Sequence, residues 1–159
     1  MHSIYISVGS NIDPRNHVER ALSDLEDCFG VLRQSALYES QAIGFEGDNF
    51  LNLVVQALTD KTIDEVVDCL HAIEARHGRD RSGPKFSSRS LDLDLLLYDD
   101  VVCRRNKIHV PREEILVNAF VLWPLAEIAP DLIHPTERQS MAQLWRQFNK
   151  EKQKIWRVE

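Results

Sequence analysis

The sequence predicts an α+β fold, and three observations predict it. Apolar residues alternate with period two in four stretches, which marks strands. Apolar residues recur at helical spacing in two stretches between them. The resulting order is strand, helix, strand, strand, helix, strand. That order suits a ferredoxin-like sandwich, an antiparallel sheet with helices packed on one face, here followed by extra C-terminal helices. At 159 residues, 43% apolar and 28% charged, the chain is expected to form one soluble domain over residues 1–159.

Each element has its own signature. Ile4, Ile6 and Val8 alternate with Tyr5 and Ser7 in a first strand, which Gly9-Ser10-Asn11 ends. Asp13-Pro14 reads as an N-cap and first helical residue; Val18, Ala21, Leu22, Leu25 and Cys28/Phe29 form the stripe, and Gly30 suits the stop. A second strand is expected over Val31 to Glu39, a loop over residues 44–48, and a third strand from near Phe50 through Leu53, Val55 and Ala57. Thr62 or Asp64 caps a second helix with the stripe Val66, Val67, Leu70 and Ile73, ending near Gly78. The polar stretch RDRSGPKFSSR then leads into a fourth strand, RSLDLDLLLYDD. Beyond it a helix is expected within Phe120–Ile128, interrupted or kinked at Pro124, and a clearer one from Ser140 to about Phe148. The final KQKIWRVE suits a short edge strand or a frayed tail.

A net charge of −6 argues against a general nucleic-acid binder but leaves room for a phosphorylated small molecule at a local arginine cluster. Cys28, Cys69 and Cys103 have no metal-like spacing, and an odd number closes no disulfide set, so a reducing cytoplasm is expected. The N-terminus lacks the charged n-region of a signal peptide, and no apolar run approaches the ~20 residues of a membrane span. No membrane and no nucleic-acid partner is expected, and the chain is expected to act as a monomer.

Chemistry concentrates in the fourth strand. Leu91, Leu93, Leu95 and Leu97 would share one face, so that Asp92 and Asp94 project together from the other, roughly 6–7 Å apart. Two carboxylates that close repel, and a divalent cation turns that repulsion into binding, because magnesium takes one or two carboxylates together with substrate phosphates. A solvated strand face is the plainer alternative. Immediately upstream, Arg79, Arg81, Lys85 and Arg89 supply four cations within eleven residues. Guanidinium forks match phosphate oxygens, so this pairing suits phosphoryl-type transfer by charge neutralisation and positioning; a basic loop salted to nearby acids is the alternative. Phe50 and Asn52 share a strand face, where one can stack on a flat ring and the other hydrogen-bond its edge; Phe50 as core and Asn52 at a strand start is an equal alternative. Phe120 and Trp123 read as core by default. Gly9-Ser10-Asn11 offers a turn with backbone donors but no phosphate-loop pattern. His71 and His77 lack zinc spacing, and Glu74 reads most simply as a surface carboxylate that can pair with an arginine.

Taken in order, GSN after the first strand, FLN opening the third, the RxR loop, RSLDLDLLLYD, VP and FVLWPLAEIAP resemble 6-hydroxymethyl-7,8-dihydropterin pyrophosphokinase, from about Tyr5 to Pro130. The resemblance implies a ferredoxin-like enzyme of folate synthesis that moves the β,γ-pyrophosphoryl unit of ATP to the pterin hydroxymethyl and releases AMP. By that resemblance Asp92 and Asp94 hold two magnesium ions, and Arg79 and Arg89 assist transfer. Phe50 and Phe120 sandwich the pterin, while Asn52, Ser40 and Ile43 read its edge. Arg81, His71, Glu74, Lys107, His109 and Arg112 match the nucleotide side. A paralogue that binds pterin or nucleotide without efficient transfer is the alternative. Three places depart from the family pattern, five residues in all: Arg112 stands where histidine is usual, Asn118 where arginine is usual, and Phe86-Ser87-Ser88 where Trp-Gly-Pro is usual. Arg112 keeps a cation; Asn118 loses a guanidinium fork. These changes bear on ATP affinity, loop closure and rate.

Overall fold

Strand β1 (His2–Ser10) organises the sheet, because it pairs antiparallel along both edges. The computed structural model describes residues 1–41, 48–78 and 90–158. Along one edge β1 meets β4 (Phe50–Thr59), in register from His2↔Thr59 to Ser10↔Leu51; along the other it meets β5 (Asp92–Tyr98). β3 (Leu37–Ser40) pairs with the far edge of β4, and β8 (Ile155–Val158) pairs with β3. Among the described residues the sheet order is therefore β5-β1-β4-β3-β8, with the short β2 (Arg33–Gln34) also on β4. This is the expected antiparallel sandwich, extended at one edge by the C-terminal strand.

Alternation along β1 gives the sheet two apolar faces. Ile4, Ile6 and Val8 face α1 (Pro14–Phe29) and α2 (Ile63–Arg76) in a core with Leu25, Leu70, Ile73 and Leu93. Thr62 and Glu65 exchange hydrogen bonds in a capping box that starts α2. Tyr5, Val54, Leu96 and Leu97 face the other way, against α4 (Ala119–Ile128) and α5 (Met141–Gln147). The C-terminal helices thus cover the second sheet face, where the element order had suggested helices on one face only.

Other differences have local causes. The strand expected over Val31–Glu39 is two pieces: Ser35 bonds Val54 through backbone and side chain, and the Ala36 N–H leaves the ladder for the Glu127 carboxylate. Val31 itself is exposed. In β5 a register shift opposite Tyr5 and Ile6 moves Leu97 from the Leu91–Leu93–Leu95 face to the opposite cluster. Helix α4 runs through Pro124 without interruption; it is buried nearly all round, and that packing outweighs the proline's cost of about 3 kcal/mol. Asp13 precedes α1 in a left-handed conformation, and its carboxylate accepts from the Asn16 side chain rather than from a backbone N–H. KQKIWRVE supplies the edge strand β8.

A small hairpin, β6 (Cys103–Arg105) with β7 (Ile108–Val110), has strands too short for alternation to reveal. Arg105–Asp64 (2.9 Å) and Lys107–Asp68 ion pairs tie it to α2. A single turn, α3 (Glu114–Val117), then leads into α4.

Candidate active site

The end of β1, the starts of β4 and β5 and the end of β3 meet at one end of the sheet, on the α4 side. Gly9 pairs with Asp92 across one edge and with Asn52 across the other, and Asn52 pairs with Tyr38. Side chains in such a row share a face. A Cβ on Gly9 would stand 3.0 Å from Asn52 Oδ1 and 4.0 Å from Phe50 Cδ1, so the missing side chain is what leaves room for both. Asn52 is buried and donates from Nδ2 to Ser40 Oγ (2.9 Å), which fixes the amide plane. Phe50 lies two residues before Asn52 on the same face. Phe120, in the first turn of α4, is half-buried beside the second core cluster.

Asp92 and Asp94 stand on the same face opposite Gly9 and Ser7, both half-buried. Arg112 approaches them from the segment after β7. Its backbone N–H donates to Leu96 O (3.1 Å), and Arg104 clasps the preceding carbonyls, Val110 O at 2.6 Å and Pro111 O at 2.9 Å. The guanidinium gives Nε and Nη2 to Glu114 Oε2 (2.8 and 2.7 Å) and holds Nη1 3.7 Å from Asp94 Oδ1. Burial works against its charge, but Asp94, Glu114 and Asp92 outweigh burial and raise its pKa.

Glu74 is not the surface carboxylate its sequence context suggested. It is buried, and its Oε2 accepts the Leu93 N–H (2.8 Å), on the backbone between the two aspartates. The edge position of β5 leaves that N–H without a strand partner, and a carboxylate is the acceptor supplied.

The donor set fits magnesium. Two half-exposed carboxylates on one face offer hard oxygen ligands, and magnesium completes its shell with water and phosphate oxygens. Among the described residues no group of three or more His, Cys, Asp and Glu is placed to hold a metal ion.

Gly9-Ser10-Asn11 does more than turn the chain. Ser10 Oγ donates to Ser90 O (2.5 Å), Ser90 Oγ donates to His77 O (2.6 Å), and Asn11 Nδ2 donates to Asp48 O (3.1 Å). Arg79, Arg81, Arg89 and Ile43, together with Phe86-Ser87-Ser88, lie outside the described residues. His71 is half-buried on α2; Lys107 is taken up by Asp68, and His109 is exposed on β7. Sequence reasoning missed Gly9 as a clearance position, Glu114 as the partner of Arg112, and the Glu127 clamp on Ala36 and Tyr38. Only Glu114 had a local signal, an acid two residues from an arginine.

The model of the 7,8-dihydro-6-hydroxymethylpterin-pyrophosphokinase family matches residues 5–130. The chain is 35% identical over 143 residues to the 2-amino-4-hydroxy-6-hydroxymethyldihydropteridine pyrophosphokinase of Aquifex aeolicus, covering 89% of each chain. It is 34% identical over 139 residues to the Pseudomonas aeruginosa protein of the same name, covering 85% of each. Among solved structures it is similar to Plasmodium falciparum HPPK-DHPS, crystallised with pterin and p-hydroxybenzoate, with a TM-score of 0.72 at 13% identity. The match covers 92% of this chain and 43% of that longer one, and it bears on fold alone. Motifs, antiparallel topology and near full-length relatives agree, and the chain belongs to the 7,8-dihydro-6-hydroxymethylpterin-pyrophosphokinase family.

Proposed function

We propose that this chain transfers pyrophosphate from ATP to 6-hydroxymethyl-7,8-dihydropterin, giving AMP and the pterin diphosphate, and that the residues assembled around Gly9 carry the reaction. The observation that carries this reading is the row Asp92–Gly9–Asn52. It sets a metal-ready carboxylate and a fixed amide on neighbouring strands of one face.

In this reading Phe50 and Phe120 stack on the pterin ring, and Asn52, Ser40 and Ile43 read its edge. The Ser40 hydroxyl holds Asn52 in one orientation, which favours a ring presenting the complementary donors and acceptors. Asp92 and Asp94 would hold two magnesium ions, which would supply positive charge against the triphosphate. Arg79 and Arg89 stabilise charge on the transferring group, and Arg81, Arg112, Lys107, His109 and His71 serve the nucleotide. Glu74 acts from beneath by holding the β5 backbone between the two aspartates. The pterin hydroxymethyl oxygen forms a bond to the β-phosphorus of ATP and releases its proton to solvent. The bond from that phosphorus to the oxygen shared with the α-phosphate breaks, and AMP leaves. Positioning and charge do the work, with no covalent intermediate on the protein.

We further propose a cytoplasmic monomer. Cys28, Cys69 and Cys103 are free thiols, and among the described residues no helix is long and apolar enough to cross a membrane.

The deciding assay mixes the protein with ATP, magnesium and 6-hydroxymethyl-7,8-dihydropterin and follows AMP. Production of AMP that depends on all three is expected, and Asp92→Ala should abolish it while leaving the circular-dichroism spectrum unchanged. Pterin binding without AMP production would refute the transferase reading.

A further inference from the structure

Arg112 is held in a way that a free phosphate-binding arginine has no need of. Glu114 takes its Nε and Nη2 on one carboxylate oxygen, at 2.8 and 2.7 Å, and this leaves Nη1 as the nitrogen turned to Asp94. The backbone is pinned as well, through Leu96 O and the Arg104 fork. At 3.7 Å the Arg112–Asp94 contact is an ion pair but too long for a hydrogen bond. The guanidinium therefore places charge beside the Asp94 oxygen without itself hydrogen-bonding it.

We propose that Arg112 is a resident counter-ion of the Asp92–Asp94 pair, positioned by Glu114, so that the pair takes a bare divalent cation weakly and a cation carried on a triphosphate well. The inference rests on the metal role assigned to the two aspartates above. A bare dication that approaches the pair meets a fixed positive charge next to its ligand, and the two repel. A triphosphate changes the sign of that interaction. Its oxygens attract the dication and the guanidinium alike, and Arg112, already oriented, gains a partner without being reordered. A pair of carboxylates with no resident cation would load metal first and nucleotide second. With Arg112 present, metal and nucleotide enter together, and the site is protected from idle occupation by free magnesium. Glu114 matters because a guanidinium released from it can turn and hydrogen-bond Asp94 directly, or leave the site for solvent.

The test measures bare Mn2+ binding by electron paramagnetic resonance, and binding of magnesium with an ATP analogue whose α,β-bridge is methylene by calorimetry. Arg112→Gln is expected to tighten bare Mn2+ binding on the order of tenfold and to weaken the magnesium–nucleotide complex. Arg112→Lys, which keeps a cation, should leave bare Mn2+ binding near the wild-type value, and this separates charge from general damage. Glu114→Gln should weaken the magnesium–nucleotide complex in the wild-type background and much less in Arg112→Gln. Bare Mn2+ binding that is unchanged or weaker in Arg112→Gln would overturn the counter-ion role. If Asp94→Asn leaves the Mn2+ binding of Arg112→Gln intact, the metal role of the aspartates fails instead, and the two failures are told apart.

Discussion

A methyl group on Gly9 would press on Asn52 Oδ1 at 3.0 Å, and Asn52 has little room to yield, since it is buried and bonded to Ser40. Gly9→Ala is therefore expected to tilt the amide and weaken binding of 6-hydroxymethyl-7,8-dihydropterin about tenfold, the size of one net hydrogen bond. Affinity for the magnesium–nucleotide complex should change little. Calorimetric titration with each ligand checks this, and an unaltered pterin affinity would mean that Asn52 does not read the ring. At this scale the sequence was partly readable. Asp92, Asp94 and Asn52 were legible because alternation alone assigns a strand residue to a face. Gly9 was not, because its importance comes from partners far along the chain that approach only once β1, β4 and β5 pair. Glu74 misled for a similar reason: an acid late in an amphipathic helix reads as solvent-facing until the edge strand it serves is known.

Elements were legible where their period was long and even, and misread where tertiary contacts broke the period. The leucine run of β5 looks like one face, yet the register shift opposite β1 sends Leu97 to the other core. No local residue announces that shift; it comes from the partner strand. Helices α1 and α2 were clear from their stripes, but the polar contact between them was not. His77 is buried there, bonded to His17 Nδ1 (2.7 Å) and to Asp24 Oδ2 (3.3 Å) of α1. Burial first, then the charges of Arg20 and His17, push its pKa below the ordinary histidine value, against the opposing pull of Asp24. The folded state thus binds this proton less readily than the unfolded chain does. Its contribution to stability is present above about pH 6.5 and is lost as pH falls below that value. Urea unfolding between about pH 7 and pH 5.5 should show a steeper loss for the wild type than for His77→Gln. Parallel curves would place the acid sensitivity elsewhere.

At the scale of the molecule, the sheet is a platform with two differently employed faces. Helices α1 and α2 close one face as a continuous apolar core, while α4 closes the other and carries Phe120 at its first turn. That second closure depends on a long-range polar clamp. Glu127, near the end of α4, accepts the Ala36 N–H and the Tyr38 hydroxyl (2.5 Å), and Arg157 of β8 reaches both Tyr38 and Glu127. The Tyr38 ring stacks tilted on Trp123 of α4, 4.7 Å between centroids, and is wholly buried. Burial, and next the Glu127 hydrogen bond, push the Tyr38 pKa up to about 12. The folded state holds this proton more tightly than the unfolded chain, so the contribution is full below about pH 10 and fades as pH rises through about 12. Tyr38→Phe should accordingly flatten the alkaline limb of the stability profile measured by urea unfolding. Glu127→Ala strips the acceptor from a buried hydroxyl and is expected to cost ~1–3 kcal/mol of stability. Because the clamp seats the helix that carries Phe120, the same change should weaken pterin binding more than magnesium–nucleotide binding. Equal losses for the two ligands in calorimetry would instead mean that Glu127 steadies the fold as a whole and has no particular hold on the pterin side.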